Sequence, residues 1–316
     1  MNFPETTRFA VNNFVGEMRP IMKIMGLHCG RVGIRGLVCN HNGRILNTAR
    51  MAVSAENGAI PYLQNIQSLI NTLAQSNAGI DCVGIVTSGQ INPQSGLVTK
   101  TVIPGFLGTD LRALVRSVLD TEVYVENCAN AALLGEHWLG AAKKHRDVVL
   151  IKLGSEVEFA AMIDGRLQPD AAAERARLLP SISDAAAISS ESLSRHLELA
   201  LGHSACFEEY QELYRKGHPG ITAVIREFAA RLAETLCHVD ELKNPEIILV
   251  GGELAVWFDS LCPLLKAEMA TRKITVPVRE GLLGADAASL GAVRICLNQF
   301  MNKKQSITAG LTASRA

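Results

Sequence analysis

The chain has 316 residues, 48% hydrophobic and only 5% aromatic, with 31 basic against 31 acidic side chains and zero formal charge. Such a length buries a sizeable core in two domains, and the excess of aliphatic over aromatic residues suits an α/β protein. The neutral charge gives no electrostatic footprint for nucleic acid or an anionic membrane surface, and no apolar run reaches membrane-spanning length. Eight cysteines lie scattered without a Cys-x-x-Cys pair, and the first 20 residues lack the continuous apolar core of a secretory signal. The expected setting is a cytoplasm with reduced thiols.

In chain order, residues 1–20 are punctuated by Pro4 and Pro20 and are too short for an independent domain; they read as an arm. Residues 23–38 and 44–49 predict strands joined by a hairpin turn at 40–43. Gly26, Gly30, Gly33 and Gly36 in this stretch suggest close backbone approach. With Arg31 and Val32 at the first turn, a phosphate cradle there is weakly supported, because such a cradle needs small residues and a hydroxyl or cation aimed at the phosphate. Apolar residues at 63, 66, 69, 70 and 73 mark an amphipathic helix over 61–74. A buried strand at 82–86 precedes a loop dense in turn formers (87–96), a second loop (102–106), and a helix at 110–119 capped by Thr109 or Asp110. A strand at 122–125 then runs into a helix start, Glu126-Asn127-Cys128-Ala129-Asn130. In an α/β sheet that crevice is where small ligands bind, and Asn127 can both cap the helix and reach a polar ligand.

The second half repeats the plan: a strand at 147–153 turned by Gly154–Ala160, a strand at 161–167, alanine- and serine-rich helical pieces over 168–200, a long helix over 222–239, and a strand at 247–250 ending in Gly251-Gly252. A helix from about Ala255, a strand at 274–278, a closing helix at 286–300 and a polar, solvated tail at 301–316 complete the prediction.

Together these pieces resemble the ROK family of sugar kinases and sugar-operon repressors. The likeness covers roughly residues 20–300. Ser88-Gly89-Gln-Ile-Asn92-Pro93 is similar to the family's Pro-Gly-x-Val-Asp-Pro segment, and 102–106 to its Asn-Leu-Pro-Gly-Trp loop. The stretch 126–136 is similar to its Glu-Asn-Asp-Ala-Asn helix start, and 244–252 to the strand that reaches the adenosine. The resemblance implies a two-lobed actin-like ATPase (sugar kinase, ribonuclease H-like) fold of duplicated βββαβαβα units. The lobes are expected at 21–120 and 121–300, with the closing helix packed back on the first. It also implies ATP with Mg²⁺, a structural zinc, and a homodimer.

The departures from that pattern are as informative. Where the kinases carry Asp-x-Gly-Gly-Thr-Lys, this chain reads His28-Cys29-Gly30-Arg31-Val32-Gly33, without the metal-holding acid, the hydroxyl or the lysine. Phosphoryl transfer needs metal and cations to neutralise the moving phosphoryl group. Where the family has Gly-Thr-Gly-x-Gly-Gly, this chain has Gly154-Ser155-Glu156-Val157-Glu158-Phe159, and two glutamates in a phosphate cradle are expected to repel a nucleotide. Cys128 stands at the aspartate that takes the sugar-hydroxyl proton, and a neutral thiol is a poor base for an alcohol. Arg177 stands at the zinc-ligand histidine, and of the cysteine cluster only Cys206 remains, too few ligands for zinc. Asn127, Glu174, Glu208 and Gly105 correspond to the family's sugar-binding positions.

The sequence thus predicts a non-catalytic, sugar-sensing or regulatory protein resembling the repressor branch. Gly16–Pro20 resembles the end of the linker that precedes this domain in repressors, although no winged helix fits ahead of it. It is expected to use no cofactor, to bind a sugar or sugar phosphate as effector, and to bind neither membrane nor, alone, nucleic acid. An ATP-dependent sugar or amino-sugar kinase with drifted motifs is the alternative.

Overall fold

The computed structural model describes residues 22–53, 58–92, 94–101, 103, 105–168, 178 and 186–313, without the side chains of 301 and 303–313. Two five-stranded sheets share one topology. In the first, β1 (Lys23–Gly30), β2 (Gly33–Asn40) and β3 (Ile45–Ala52) form an antiparallel meander, and β4 (Cys82–Thr87) and β7 (Glu122–Asn127) extend it in parallel, in the order β3-β2-β1-β4-β7. In the second, β8 (Val148–Leu153), β9 (Val157–Ile163) and β10 (Arg166–Leu167) form the meander, and β11 (Ile247–Gly252) and β12 (Val278–Glu280) extend it, in the order β10-β9-β8-β11-β12. The duplicated α/β fold is therefore present. A short hairpin, β5 (Gln90–Ile91) and β6 (Val98–Lys100), projects from the first sheet.

Every residue of β4, and the first four of β11, is buried, as befits parallel strands covered on both faces. Helix α1 (Ala59–Gln75) seals one face of the first sheet with Tyr62, Ile66, Leu69, Ile70 and Leu73. Its neighbour α2 (Leu111–Arg116) is capped by Asp110, whose carboxylate accepts from the N–H groups of Arg112 and Ala113. On the second sheet, α6 (Pro219–Lys243) and α7 (Phe258–Thr271) bury an apolar stripe around Trp257, flanked by α4 (Ser190–Leu201) and α5 (Phe207–Arg215).

Helix α3 (Cys128–Leu139) and the last helix, α8 (Ala287–Ala313), cross between the sheets at backbone contact distance. A Cβ on Gly291 would lie 1.6 Å from the Ala131 carbonyl oxygen, and one on Gly26 would lie 2.0 Å from that of Ser289. Hydrogen alone fits at these crossings.

Several boundaries differ from those expected. Strand β7 pairs with β4, so the first sheet extends to Asn127 instead of ending at residue 120. The strand predicted at 274–278 forms instead at Val278–Glu280, just after Pro277, which has no N–H to give the ladder. A 3₁₀ turn, Glu253–Trp257, fills the start of the helix expected from Ala255. Helix α8 runs on to Ala313 where a tail was expected from 301, because Lys303, Lys304 and Gln305 favour helix and no proline intervenes.

Candidate functional site

Three segments meet between the sheets: the loop after β4, the β7–α3 junction, and the β8–β9 hairpin. At the junction Asn127 takes extended dihedrals (φ −67, ψ 142) and caps α3, its Oδ1 accepting from the N–H groups of Ala129 (2.7 Å) and Asn130 (3.3 Å). That leaves Nδ2 to face the cleft, where it donates to Glu158 Oε1 at 3.0 Å and to the Gly89 carbonyl at 2.8 Å. Gly89 is fixed at φ +105, and a Cβ there would lie 2.0 Å from the Lys100 carbonyl, so only glycine presents its N–H in this way. Behind the junction, the Glu126 carboxylate accepts from Asn127 N (2.8 Å) and Asn130 Nδ2 (3.1 Å).

Lys152 on β8 and Glu158 on β9 are direct cross-strand partners, so both side chains leave the hairpin on one face. Lys152 Nζ lies 2.9 Å from Glu158 Oε2. The same oxygen accepts from Ser88 Oγ and from Cys128 Sγ, each at 3.0 Å. The Gly89 N–H reaches Oε1 at 3.3 Å. One carboxylate thus collects donors from Ser88, Gly89, Asn127, Cys128 and Lys152.

The electrostatics follow from this arrangement. Burial alone would raise the Glu158 carboxyl, but the Lys152 ammonium and the converging hydrogen bonds hold it down to about 2. Burial, reinforced by the Glu158 charge, pushes the Cys128 thiol up to about 12. Lys152 stays above the ordinary lysine value despite burial, because Cys128 and Glu158 stabilise its charge. At neutral pH the cluster is therefore a carboxylate, an ammonium and an intact S–H. Cys128 is no base, and Glu158 is far too weakly basic to take a proton from a sugar hydroxyl. The Lys152 ammonium offsets the Glu158 charge.

The two loops aligned with phosphate-binding segments are also tied to the protein. The Gly30 carbonyl accepts from Tyr62 Oη at 2.6 Å, Arg31 pairs with Glu191 at the start of α4, and Val32 at the turn is 65% exposed. His28 Nε2 is buried without a hydrogen-bond partner, and burial, with the Lys152 charge nearby, lowers the ring to about 4. The ring is thus uncharged at neutral pH.

In the second loop the Gly154 carbonyl accepts from Ser190 N at 2.8 Å, while Ser155 is half-buried at the turn. Ser190 Oγ donates to Glu253 at 2.9 Å, which brings another carboxylate beside the loop. Gly251 and Gly252 end β11; Gly252 has φ +90, and a Cβ there would lie 2.4 Å from the Leu153 carbonyl.

Of the predicted ligand residues, Asn127 lies in the cluster. Gly105, at φ +74, packs against Ala59, where a Cβ would come within 2.3 Å of that residue's own Cβ. Glu208 is exposed in the first turn of α5, and among the described residues no hydrogen bond joins it to the cluster. Glu174 and Arg177 lie outside the described residues. Cys206 is exposed, His196 Nδ1 lies 2.7 Å from the Ser192 carbonyl, and among the described residues no group of three or more His, Cys, Asp or Glu is placed to hold a metal.

Sequence reasoning missed Ser88 and, above all, Lys152. Its signal was a lone cation inside the apolar strand Val148–Leu153, across a short turn from a glutamate.

The fold is the two-lobed, actin-like fold found in sugar kinases. Residues 24–171 match the ROK family. A beta-glucoside kinase of Klebsiella pneumoniae is 26% identical over 291 residues, covering 86% of this chain and 95% of that protein. A xylose repressor of Caldicellulosiruptor bescii is 27% identical over 164 residues, 48% of this chain and 41% of the repressor. Among solved structures, a ROK family glucokinase from Streptomyces griseus in complex with glucose and AMPPNP superposes with a TM-score of 0.77 at 22% identity, covering 86% of this chain and 98% of that one. The chain resembles the ROK family over just under half of its length, and the proteins it is similar to include both kinases and repressors.

Proposed function

We propose that this chain is a non-catalytic ROK protein, a sugar-sensing or regulatory module that binds its effector in the cleft beside Asn127 and transfers no phosphoryl group. One observation carries the reading. The position of the family's catalytic aspartate is a buried thiol, sealed against a carboxylate that is itself ion-paired to Lys152. Nothing in that cluster has a pKa near the operating pH, as a general base requires. At the position of the acid expected to hold Mg²⁺ stands His28, uncharged and half-buried, and Glu253 adds negative charge beside the second loop. The module accordingly works without ATP, Mg²⁺ or zinc, in the cytoplasm and as a homodimer, with a small sugar or sugar phosphate as effector.

A coupled assay across hexoses and amino sugars with Mg-ATP tests this. The expected result is no turnover above background. Turnover that disappears in Cys128→Ala would overturn it. The near-full-length likeness to a beta-glucoside kinase favours the second reading, a sugar kinase with drifted motifs. Calorimetry with Mg-ATP separates the two: a saturable binding heat supports the kinase, and its absence supports the sensor.

A further inference from the structure

Donors from three separate segments converge on the Glu158 carboxylate. They are the Ser88 hydroxyl and Gly89 N–H after β4, the Asn127 amide at the end of β7, the Cys128 thiol at the start of α3, and the Lys152 ammonium on β8. A carboxylate offers about four lone-pair positions, so this set saturates it. Such a cradle has the composition of an oxyanion-binding site: a cation, a backbone amide on a glycine that admits no other residue, and neutral side-chain donors. What fills it is the chain's own anion, carried in from the second sheet, while Ser88, Gly89 and Asn127 belong to the first.

We propose that the cradle is a binding site for a small oxyanion, a carboxylate or phosphate group, held shut by Glu158 as a tethered internal ligand that also ties the two lobes together. The proposal rests on the reading of this cleft floor as non-catalytic. A tethered carboxylate competes at high effective concentration, so a free anion does not displace it from the native chain. The cleft then admits only the neutral part of an effector while Glu158 is in place. The cradle stays preorganised, because Asn127 is fixed by its cap and Gly89 by its backbone. Removing the carboxylate leaves five donors, one of them charged, facing a void. That void in Glu158→Ala has the size and charge preference of acetate, since the substitution deletes a CH₂COO⁻ unit.

The test is chemical rescue, read by thermal denaturation at constant ionic strength. Acetate should raise the melting temperature of Glu158→Ala by a few degrees over chloride, saturably with concentration, as a ligand of the folded state does. Inorganic phosphate in a parallel titration shows whether the cradle prefers the planar or the tetrahedral anion. The native chain should respond equally to acetate and chloride, and Lys152→Met/Glu158→Ala should lose the acetate effect. A Glu158→Ala response to acetate no larger than to chloride overturns the proposal, and so does an acetate-specific response of the native chain.

If Glu158→Ala is unfolded in both salts, Glu158→Ser carries the test, since it leaves nearly the same void while its hydroxyl satisfies one buried donor. An acetate- or phosphate-specific rise supports the proposal, and none overturns it. No arm involves turnover, so kinase activity in the native chain would defeat the non-catalytic reading and leave the rescue result to be judged separately.

Discussion

The β1–β2 and β8–β9 hairpins occupy the same place in the two sheets, yet they carry opposite chemistry next to their turns. In the first, the pair beside the closing glycines is Cys29 and Ile34, both buried in the core, and the hairpin's charge goes outward through Arg31 to Glu191. In the second, the pair beside the turn is Lys152 and Glu158, and the charge goes inward, across the cleft. Backbone topology was duplicated while side chains diverged. The first hairpin buries its pair in the core of its own lobe and meets the other lobe at the surface through Arg31, whereas the second sends its buried pair toward the other lobe. The same backbone plan thus carries different side-chain chemistry in the two halves.

Breaking the charged pair should have the largest effect. Glu158→Leu leaves Lys152 buried and uncompensated, and losing one partner of a buried pair costs about 3–5 kcal/mol. Lys152→Met/Glu158→Leu, which removes both charges, should come within about 1 kcal/mol of the native chain, since apolar replacement of a buried pair is often neutral. Urea denaturation of both variants decides whether the second hairpin is held by its ion pair or by its packing. In the first hairpin, Ile34→Ala should cost about 2–5 kcal/mol as an ordinary core cavity. It should leave the acetate response of the cleft unchanged in a Glu158→Ala background.

The hairpins also titrate in different windows. His28 falls from 6.5 to about 4 in the folded chain. Between those values the unfolded state binds the extra proton, so stability drops as pH falls from about 6.5 to 4, by roughly 3 kcal/mol. Glu158 falls from 4.5 to about 2. Its contribution is present above 4.5 and disappears as pH drops toward 2, again by roughly 3 kcal/mol. Melting curves from pH 7 to 3 should show the first loss vanish in His28→Gln and the second persist. The smallest effect belongs to the outer contact. Glu191→Ala removes an ion pair whose acid is 59% exposed, and such pairs contribute about 0–1 kcal/mol. A larger loss would mean that the outward pair, too, holds the lobes.

Much of the site could be read from residue types alone. Cys128 at a strand-to-helix turn, Asn127 as cap and the degenerate glycine loops were all visible, because caps and turns are local chemistry. Glu158 was visible only as a misplaced charge. That it is paired, and with which residue, depends on the cross-strand register of the β8–β9 hairpin, which pattern reading does not supply. The aligned positions Glu208 and Gly105 show the converse limit. Each matches a motif, yet its surroundings, solvent for Glu208 and Ala59 for Gly105, emerge only in the folded chain.

The sequence by itself determined the α/β class, the repeated strand–helix plan and the departures from the motifs it resembles, because hydrophobic period, turn chemistry and residue identity are local properties. Tertiary structure alone decided that β7 completes the first sheet, that α3 and α8 cross at glycine contact distance, and that five donors from distant positions close around one carboxylate. Those outcomes depend on which surfaces meet once the chain has collapsed. A buried charge is tolerable only where that meeting supplies its partners.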